Sequence, residues 1–136
     1  MFGLDIAARK DRVVVGAPHD DDNGEWSGSA SHGTLAEKIT ASDPSPAEYF
    51  GRIVDVVENI VALGAPCDAN ENGSFAGSVY LFTIYGEFIL KIFAPDGQAG
   101  DYFGIDVSIQ GNAMVVGAFG DDYIGPRSGT AYLYFI

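Results

Sequence analysis

Phe-Gly occurs three times in this chain, at Phe2-Gly3, Phe50-Gly51 and Phe103-Gly104. Thirteen residues after each of those glycines stands a Gly-Ala step: Gly16-Ala17-Pro18, Gly64-Ala65-Pro66 and Gly117-Ala118-Phe119. Twelve or thirteen residues further on, a glycine among small residues leads into an apolar run: Ser27-Gly28-Ser29-Ala30, Ala76-Gly77-Ser78-Val79 and Ser128-Gly129-Thr130-Ala131. Lys38-Ile39-Thr40-Ala41 parallels Lys91-Ile92-Phe93-Ala94, and Asp43 and Asp96 each stand seven residues before the next Phe-Gly. Such marks, in fixed order at spacings of 48 and then 53 residues, mean that one supersecondary unit is built repeatedly. The units run over approximately 1–48, 49–101 and 102–136 within a single repeat domain.

Within a unit, Phe103 to Ile109 is rich in aromatic and β-branched residues and ends at the turn Gly111-Asn112. Met114 to Ala118 reads as a second strand, and Thr130 to Ile136, beyond a polar loop, as a third. The middle unit adds a fourth, Glu87 to Phe93, after the tip Ile84-Tyr85-Gly86. No stretch carries a sustained helical period, although 39–49 has room for one helical turn. The expected fold is all-β: about eleven strands in three consecutive antiparallel meanders of four, four and three. That is the pattern of β-propeller blades, here a partial propeller with an incomplete last blade. Phe2, Phe50 and Phe103 should occupy equivalent sites, as should Ala17, Ala65 and Ala118. The first unit is shorter between its third-strand glycine and its lysine, so strands around Ser31-His32-Gly33 should be stubby.

Composition narrows the function classes. Seven Lys+Arg against nineteen Asp+Glu give a net charge of −12, which repels phosphate backbones and argues against a nucleic-acid partner. No apolar run approaches the roughly 20 residues that a membrane helix needs, so no membrane insertion is expected. Cys67 is the single cysteine, which excludes an internal disulfide framework. A carboxylate beside it, Asp68, disfavours the thiolate of a nucleophile. His19 and His32 sit in different contexts without a zinc-type partner set, and neither a Gly-x-Ser-x-Gly elbow nor a P-loop occurs. No signal peptide is visible at Met1-Phe2-Gly3-Leu4-Asp5.

Taken together, Phe-Gly, Gly-Ala-Pro and Gly-Ser-Val-Tyr-Leu-Phe resemble the FG-GAP repeat of the integrin α-chain propeller, in the version found in bacterial and environmental relatives. The resemblance spans essentially the whole chain. It implies a propeller, usually extracellular or on the cell surface, used for adhesion or ligand binding and often holding calcium. It does not imply an enzyme. One departure stands out. Integrin-type repeats carry their calcium loop between the Phe-Gly strand and the Gly-Ala-Pro strand. Here those connections are the tight turns Arg9-Lys10-Asp11, Val57-Glu58-Asn59 and Gln110-Gly111-Asn112, so that site does not carry over.

Strand alternation sorts the loops by end. The second-to-third connections hold Asp20, Asp21, Asp22, Glu25, Asp68, Glu71, Asp121 and Asp122; the connections between units add Asp43, Glu48, Asp96 and Asp101. Twelve of the nineteen acidic residues thus fall at one end, opposed there by Arg127, with Arg9, Lys10 and Arg12 at the other. Asp68-Ala69-Asn70-Glu71-Asn72-Gly73 matches the opening of a calcium loop, with oxygen ligands at alternate positions and then glycine. Asp20 and Asp22, followed by Asn23-Gly24, are a looser version, and Asp121 begins one looser still. The metal candidates are therefore Asp20, Asp22, Asp68, Asn70, Asn72 and Asp121, for Ca2+; the bland alternative is a set of Asx-turn loops.

Asp5, Asp55 and Asp106 interrupt apolar first strands and are expected to accept backbone hydrogen bonds near the propeller axis. Arg52, at the position of Leu4 and Ile105, offers one of them a partner. Trp26, Phe75 and Tyr123 put an aromatic into each second-to-third loop, for packing between loops or for contact with a sugar or peptide. Two functions follow: a non-catalytic binding or adhesion module contacting a protein or glycan, or a purely structural segment of a larger extracellular repeat protein. Either way the end blades need partners, from further blades of a longer chain or from copies that close a ring.

Overall fold

The short apolar runs bounded by glycine and polar turns form strands throughout. The computed structural model describes residues 3–32, 37–43 and 48–136. Eleven strands follow in order: β1 (Ile6–Arg9), β2 (Arg12–Ala17), β3 (Ser29–His32), β4 (Glu37–Ile39), β5 (Ile53–Val57), β6 (Ile60–Ala65), β7 (Ser78–Thr83), β8 (Phe88–Ile92), β9 (Asp106–Gln110), β10 (Ala113–Ala118) and β11 (Thr130–Phe135). They pair as three antiparallel meanders, β1-β2-β3-β4, β5-β6-β7-β8 and β9-β10-β11. Among the described residues there is no helix, and so none long and apolar enough to cross a membrane. The suggested helical turn within 39–49 lies partly outside the described residues.

The register is regular. Gly16 pairs with Ala30, Gly64 with Val79 and Gly117 with Ala131, so the Gly-Ala step takes one place in all three sheets. Ala17, Ala65 and Ala118 end the second strand of each sheet and are all buried. Phe50 and Phe103 are fully buried at matching sites, whereas Phe2 lies outside the described residues. The first sheet is stubby: β3 and β4 have four and three residues where β7 and β8 have six and five.

Strand β9 begins at Asp106, three residues later than the apolar run suggests. Phe103-Gly104-Ile105 is a turn instead, in which the Ile105 N–H donates to the Tyr102 carbonyl. Tyr102 and Gly104 both take positive φ, 56° and 88°, which no strand accommodates.

The core lies between sheets rather than within one. Phe50 gathers Val14, Ala30, Val54, Leu63, Tyr80 and Phe82 between the first and second sheets. Phe103 gathers Ala62, Val79, Leu81, Val107, Met114 and Val116 between the second and third. Phe50 meets Tyr80 and Phe82 edge-on at 5.1 and 6.0 Å, and Phe103 meets Tyr132 and Tyr134 in the same way at 5.4 and 6.1 Å. The middle sheet is covered on both faces, so β6 and β7 are buried almost throughout. The outer sheets have one covered face, and β9 and β11 show the alternation of half-buried strands.

Two seams join the sheets. At the first, a Cβ on Gly16 would sit 2.0 Å from the Gly51 carbonyl oxygen, and one on Gly28 2.2 Å from that of Phe50. At the second, the corresponding distances are 2.2 Å from Gly64 to Gly104 and 2.1 Å from Gly77 to Phe103. The repeated glycines are thus the points where one sheet's backbone touches the next. Phe50 N–H donates to the Ser27 carbonyl, and Phe103 N–H to that of Ala76, across the seams.

Candidate functional site

The β2–β3, β6–β7 and β10–β11 loops lie at one end of the sheets, and each contains an Asx turn, at Asp20, Asn70 and Asp121 respectively. Asp20 accepts the Asp22 N–H at 3.3 Å, and Asp121 accepts the Tyr123 N–H at 2.8 Å. In the middle loop the Asn70 side chain does this for Asn72, at 2.9 Å. In each loop the first carboxylate meets the start of the next strand. Ser29 Oγ donates to Asp20 and Ser78 Oγ to Asp68, each at 2.5 Å, and Thr130 bonds Asp121 in the third sheet.

A lysine from the fourth strand completes two of the three sites. Lys38 Nζ reaches both Asp20 and Asp22. Lys91 Nζ lies 2.9 Å from Asp68 and 2.7 Å from Asp43, over the Tyr80 ring at 5.0 Å. In the third sheet the Tyr132 hydroxyl takes this place, 2.8 Å from Asp96 and 2.9 Å from Asp121, with one proton between two carboxylates. Tyr80, two residues into β7 as Tyr132 is into β11, donates to Asp43 at 2.9 Å. Asp43 and Asp96 lie in the chain crossing from one sheet to the next, so these bonds tie neighbouring sheets.

Ionisation follows from these partners. Burial opposes the charge on Asp20, but Lys38, Ser29 and the Asp22 N–H outweigh it and hold the carboxyl below its ordinary value. Asp43 is lowered likewise, with burial outweighed by Lys91 and Tyr80. Asp121 is lowered by the Tyr123 N–H and the Tyr132 and Thr130 side chains against the pull of burial. Lys91 is raised, its two carboxylates overcoming burial. Asp101 goes the other way: burial raises it and the charges of Asp121, Asp122 and Asp96 add, despite the Gln98 N–H. The acidic end therefore has a strained member as well as compensated ones.

Asp20 and Asp22 share Lys38, and Asp68 is buried between Ser78 and Lys91. Asn70 donates to the Gly77 carbonyl and to Ser78, and Asn72 to the Ala94 carbonyl at 2.7 Å. Asp121 stands with Tyr132 and Thr130. The three loops are separate sites, and among the described residues no three His, Cys, Asp or Glu side chains gather as a metal-holding group. Counting charges by loop missed Lys38 and Lys91, which join Arg127 in opposing the acids of this end. Their signal was the repeated Lys-Ile-x-Ala step. Glu48, counted with the surface acids, is buried.

Asp5 and Asp55 do accept backbone N–H groups from the neighbouring sheet, Val54 and Ile109 respectively, each at 2.8 Å. Arg52 stands by Cys67, whose thiol is pushed up by burial more than the guanidinium draws it down. Trp26 and Phe75 occupy one loop position, at φ 55° and 56°, but its third occupant is Arg127 at φ 50°, not the exposed Tyr123. Trp26 meets Tyr49 at 5.9 Å, Phe75 stacks on Tyr102 at 5.9 Å, and Tyr102 stacks on Phe119 at 5.0 Å. A cavity of about 360 Å³ lies between, lined by Tyr49, Arg52, Pro66, Cys67, Tyr102, Ile105 and Phe119. At the opposite end, a cleft is lined by Arg9, Lys10, Arg12, Glu58 and Asn59.

Three consecutive meanders, joined face to face by repeated glycine seams, define a repeat protein of the propeller-blade type. The FG-GAP repeat family model matches residues 1–31, 34–82 and 88–134, and the chain belongs to that family. The family is a non-enzymatic repeat type. No curated protein matches the chain.

Proposed function

We propose that the chain is a non-catalytic structural module, a run of FG-GAP blades whose acidic loops clamp the repeat together. The observation that carries this reading is the double engagement of Asp68, a buried carboxylate held by Ser78 of the adjoining strand and by Lys91. A lysine ammonium there supplies the positive charge that a loop cation would otherwise bring. Asp20 with Ser29 and Lys38 repeats the arrangement one blade earlier. By family resemblance, the setting is an extracellular or cell-surface protein.

A second reading is favoured by the aromatic rim. Phe75, Tyr102 and Phe119 stack in a row beside the cavity at the acidic end, a surface suited to a protein or glycan ligand. In that reading Ca2+ joins the loops at Asp20, Asp22, Asp68, Asn70, Asn72 and Asp121.

Thermal melting in millimolar calcium and in chelator separates the two. The structural reading expects coincident curves. A calcium-dependent rise in Tm, lost in the Asp68→Ala/Asn70→Ala variant, favours the binding reading through linkage.

A further inference from the structure

The chain carries both halves of its own seam. At each internal seam the leading sheet offers a socket and the following sheet a plug. The socket is a glycine at the end of the second strand and a glycine before the third; at the first seam an inner-strand aspartate, Asp5, completes it. The plug is the Phe-Gly turn with the inner-strand N–H that follows it. Gly16, Gly28 and Asp5 receive Phe50, Gly51 and the Val54 N–H. Gly64 and Gly77 receive Phe103 and Gly104 in the same way.

The third sheet repeats the socket. Gly117 and Gly129 stand at the matching places, and a Cβ on either would meet nothing closer than 3.7 and 3.6 Å, all of it within their own sheet. Asp106, matching Asp5, is exposed. Around them lies apolar surface, with Leu133 60% and Phe135 73% exposed. The first sheet carries the described part of the plug, Gly3 and the inner-strand Ile6. A Cβ on Gly3 would have only the Val15 side chain within 4 Å, at 3.9 Å, and Ile6, which matches Val54, is 60% exposed.

We propose that the third sheet's face binds the first sheet of a second copy of this chain, head to tail, with the backbone of Gly3 against Gly117 and the Ile6 N–H on Asp106. Such a contact is heterologous and closes only as a ring. Two copies bring six blades, inside the range of about four to eight in which propellers close, whereas three bring nine. The expected assembly is therefore a closed pair.

Sedimentation velocity and light scattering of the 136-residue chain over a concentration series test this directly. The expected species has twice the 14.4 kDa of one chain. Gly117→Ala places a methyl where the matching internal positions have a carbonyl oxygen at 2.0 and 2.2 Å. It should weaken pairing about a hundredfold or more while circular dichroism stays native. Should that variant fold poorly, Asp106→Ala, on the exposed edge, should weaken pairing about tenfold. A monomer at every concentration, a species larger than two chains, or a pair indifferent to the substitution in the folded variant overturns the proposal.

Discussion

Ile109, in the third sheet, donates its backbone N–H to the carboxylate of Asp55 in the second, at 2.8 Å. The other oxygen of Asp55 accepts the N–H of Val56 at 2.8 Å, so one side chain fixes the inner strands of two blades. Asp55→Ala should cost about 1–3 kcal/mol, because it strips a charged acceptor from a partly buried donor. Urea unfolding measures it, and a loss no larger than that of the exposed Glu71→Ala would show that the bond contributes nothing.

Gly64→Ala should be more severe. Its Cβ would stand 2.2 Å from the Gly104 carbonyl oxygen, and backbone on both sides of the seam must separate to admit it. A destabilisation of about 3 kcal/mol is expected. Gly117→Ala, measured in dilute solution, should leave Tm unchanged or slightly higher, since neither its φ nor its surroundings resist a methyl. Equal effects at the two glycines would contradict the seam.

Lys91→Met should lower stability by about 3 kcal/mol, because Asp68 remains buried without its ammonium. Adding Asp68→Asn should restore part of the loss. A double-mutant cycle reads the coupling, and strict additivity would mean that the pair does not interact.

The acid limb of stability follows from Asp20, Asp43 and Asp121. All three are depressed below the ordinary 3.8, so the folded state binds their protons less readily than the unfolded chain. Their contribution is complete above pH 3.8 and disappears as pH falls through the depressed values. Lys91, raised above 10.5, gives a contribution complete below that pH and lost as pH rises through its folded value. Chemical unfolding from pH 5 down to 2, and again above 10, should show both declines.

Asp101 has the opposite sign. Its carboxyl is raised by burial and by neighbouring acids, so ionisation at neutral pH works against folding. Asp101→Asn keeps an oxygen for the Gln98 N–H, bonded now at 2.7 Å, and removes the charge. It should stabilise the protein at pH 7, and the gain should vanish near pH 2, where the native carboxyl is protonated. A loss of stability at pH 7 would refute this account.

The fold was legible because glycine placement and strand spacing are properties of the chain itself. Phe50 and Phe103 recur, and with them the strands that bury them. The start of β9 was misread because Ile105 looks like a strand residue, while its neighbours Tyr102 and Gly104 need positive φ to turn into the seam. Trp26 and Phe75 were grouped with Tyr123 by residue type, but counting back two residues from Gly28, Gly77 and Gly129 gives Arg127 as the third member. The loop acids were read as a charge count and as calcium candidates, and not as partners of Lys38, Lys91 and Tyr132. Two of the partners are lysines from β4 and β8 and the third is Tyr132 of β11, and a side chain's reach across a sheet is invisible to local spacing. The turns at Asp20, Asn70 and Asp121 were readable, since an Asx turn depends on residues two apart.

The burial of the middle sheet on both faces has a consequence for how the molecule comes apart. Each blade touches only its neighbours, so its resistance to opening is a sum of its own strand pairing and the seams it shares. The second blade shares two seams within the chain, and the first and third share one each. Unfolding should therefore proceed from the flanks inward, with amides of β6 and β7 exchanging slowest and those of β1, β3 and β11 fastest. Refolding should run the other way, nucleating on the second blade and adding its neighbours as successive layers.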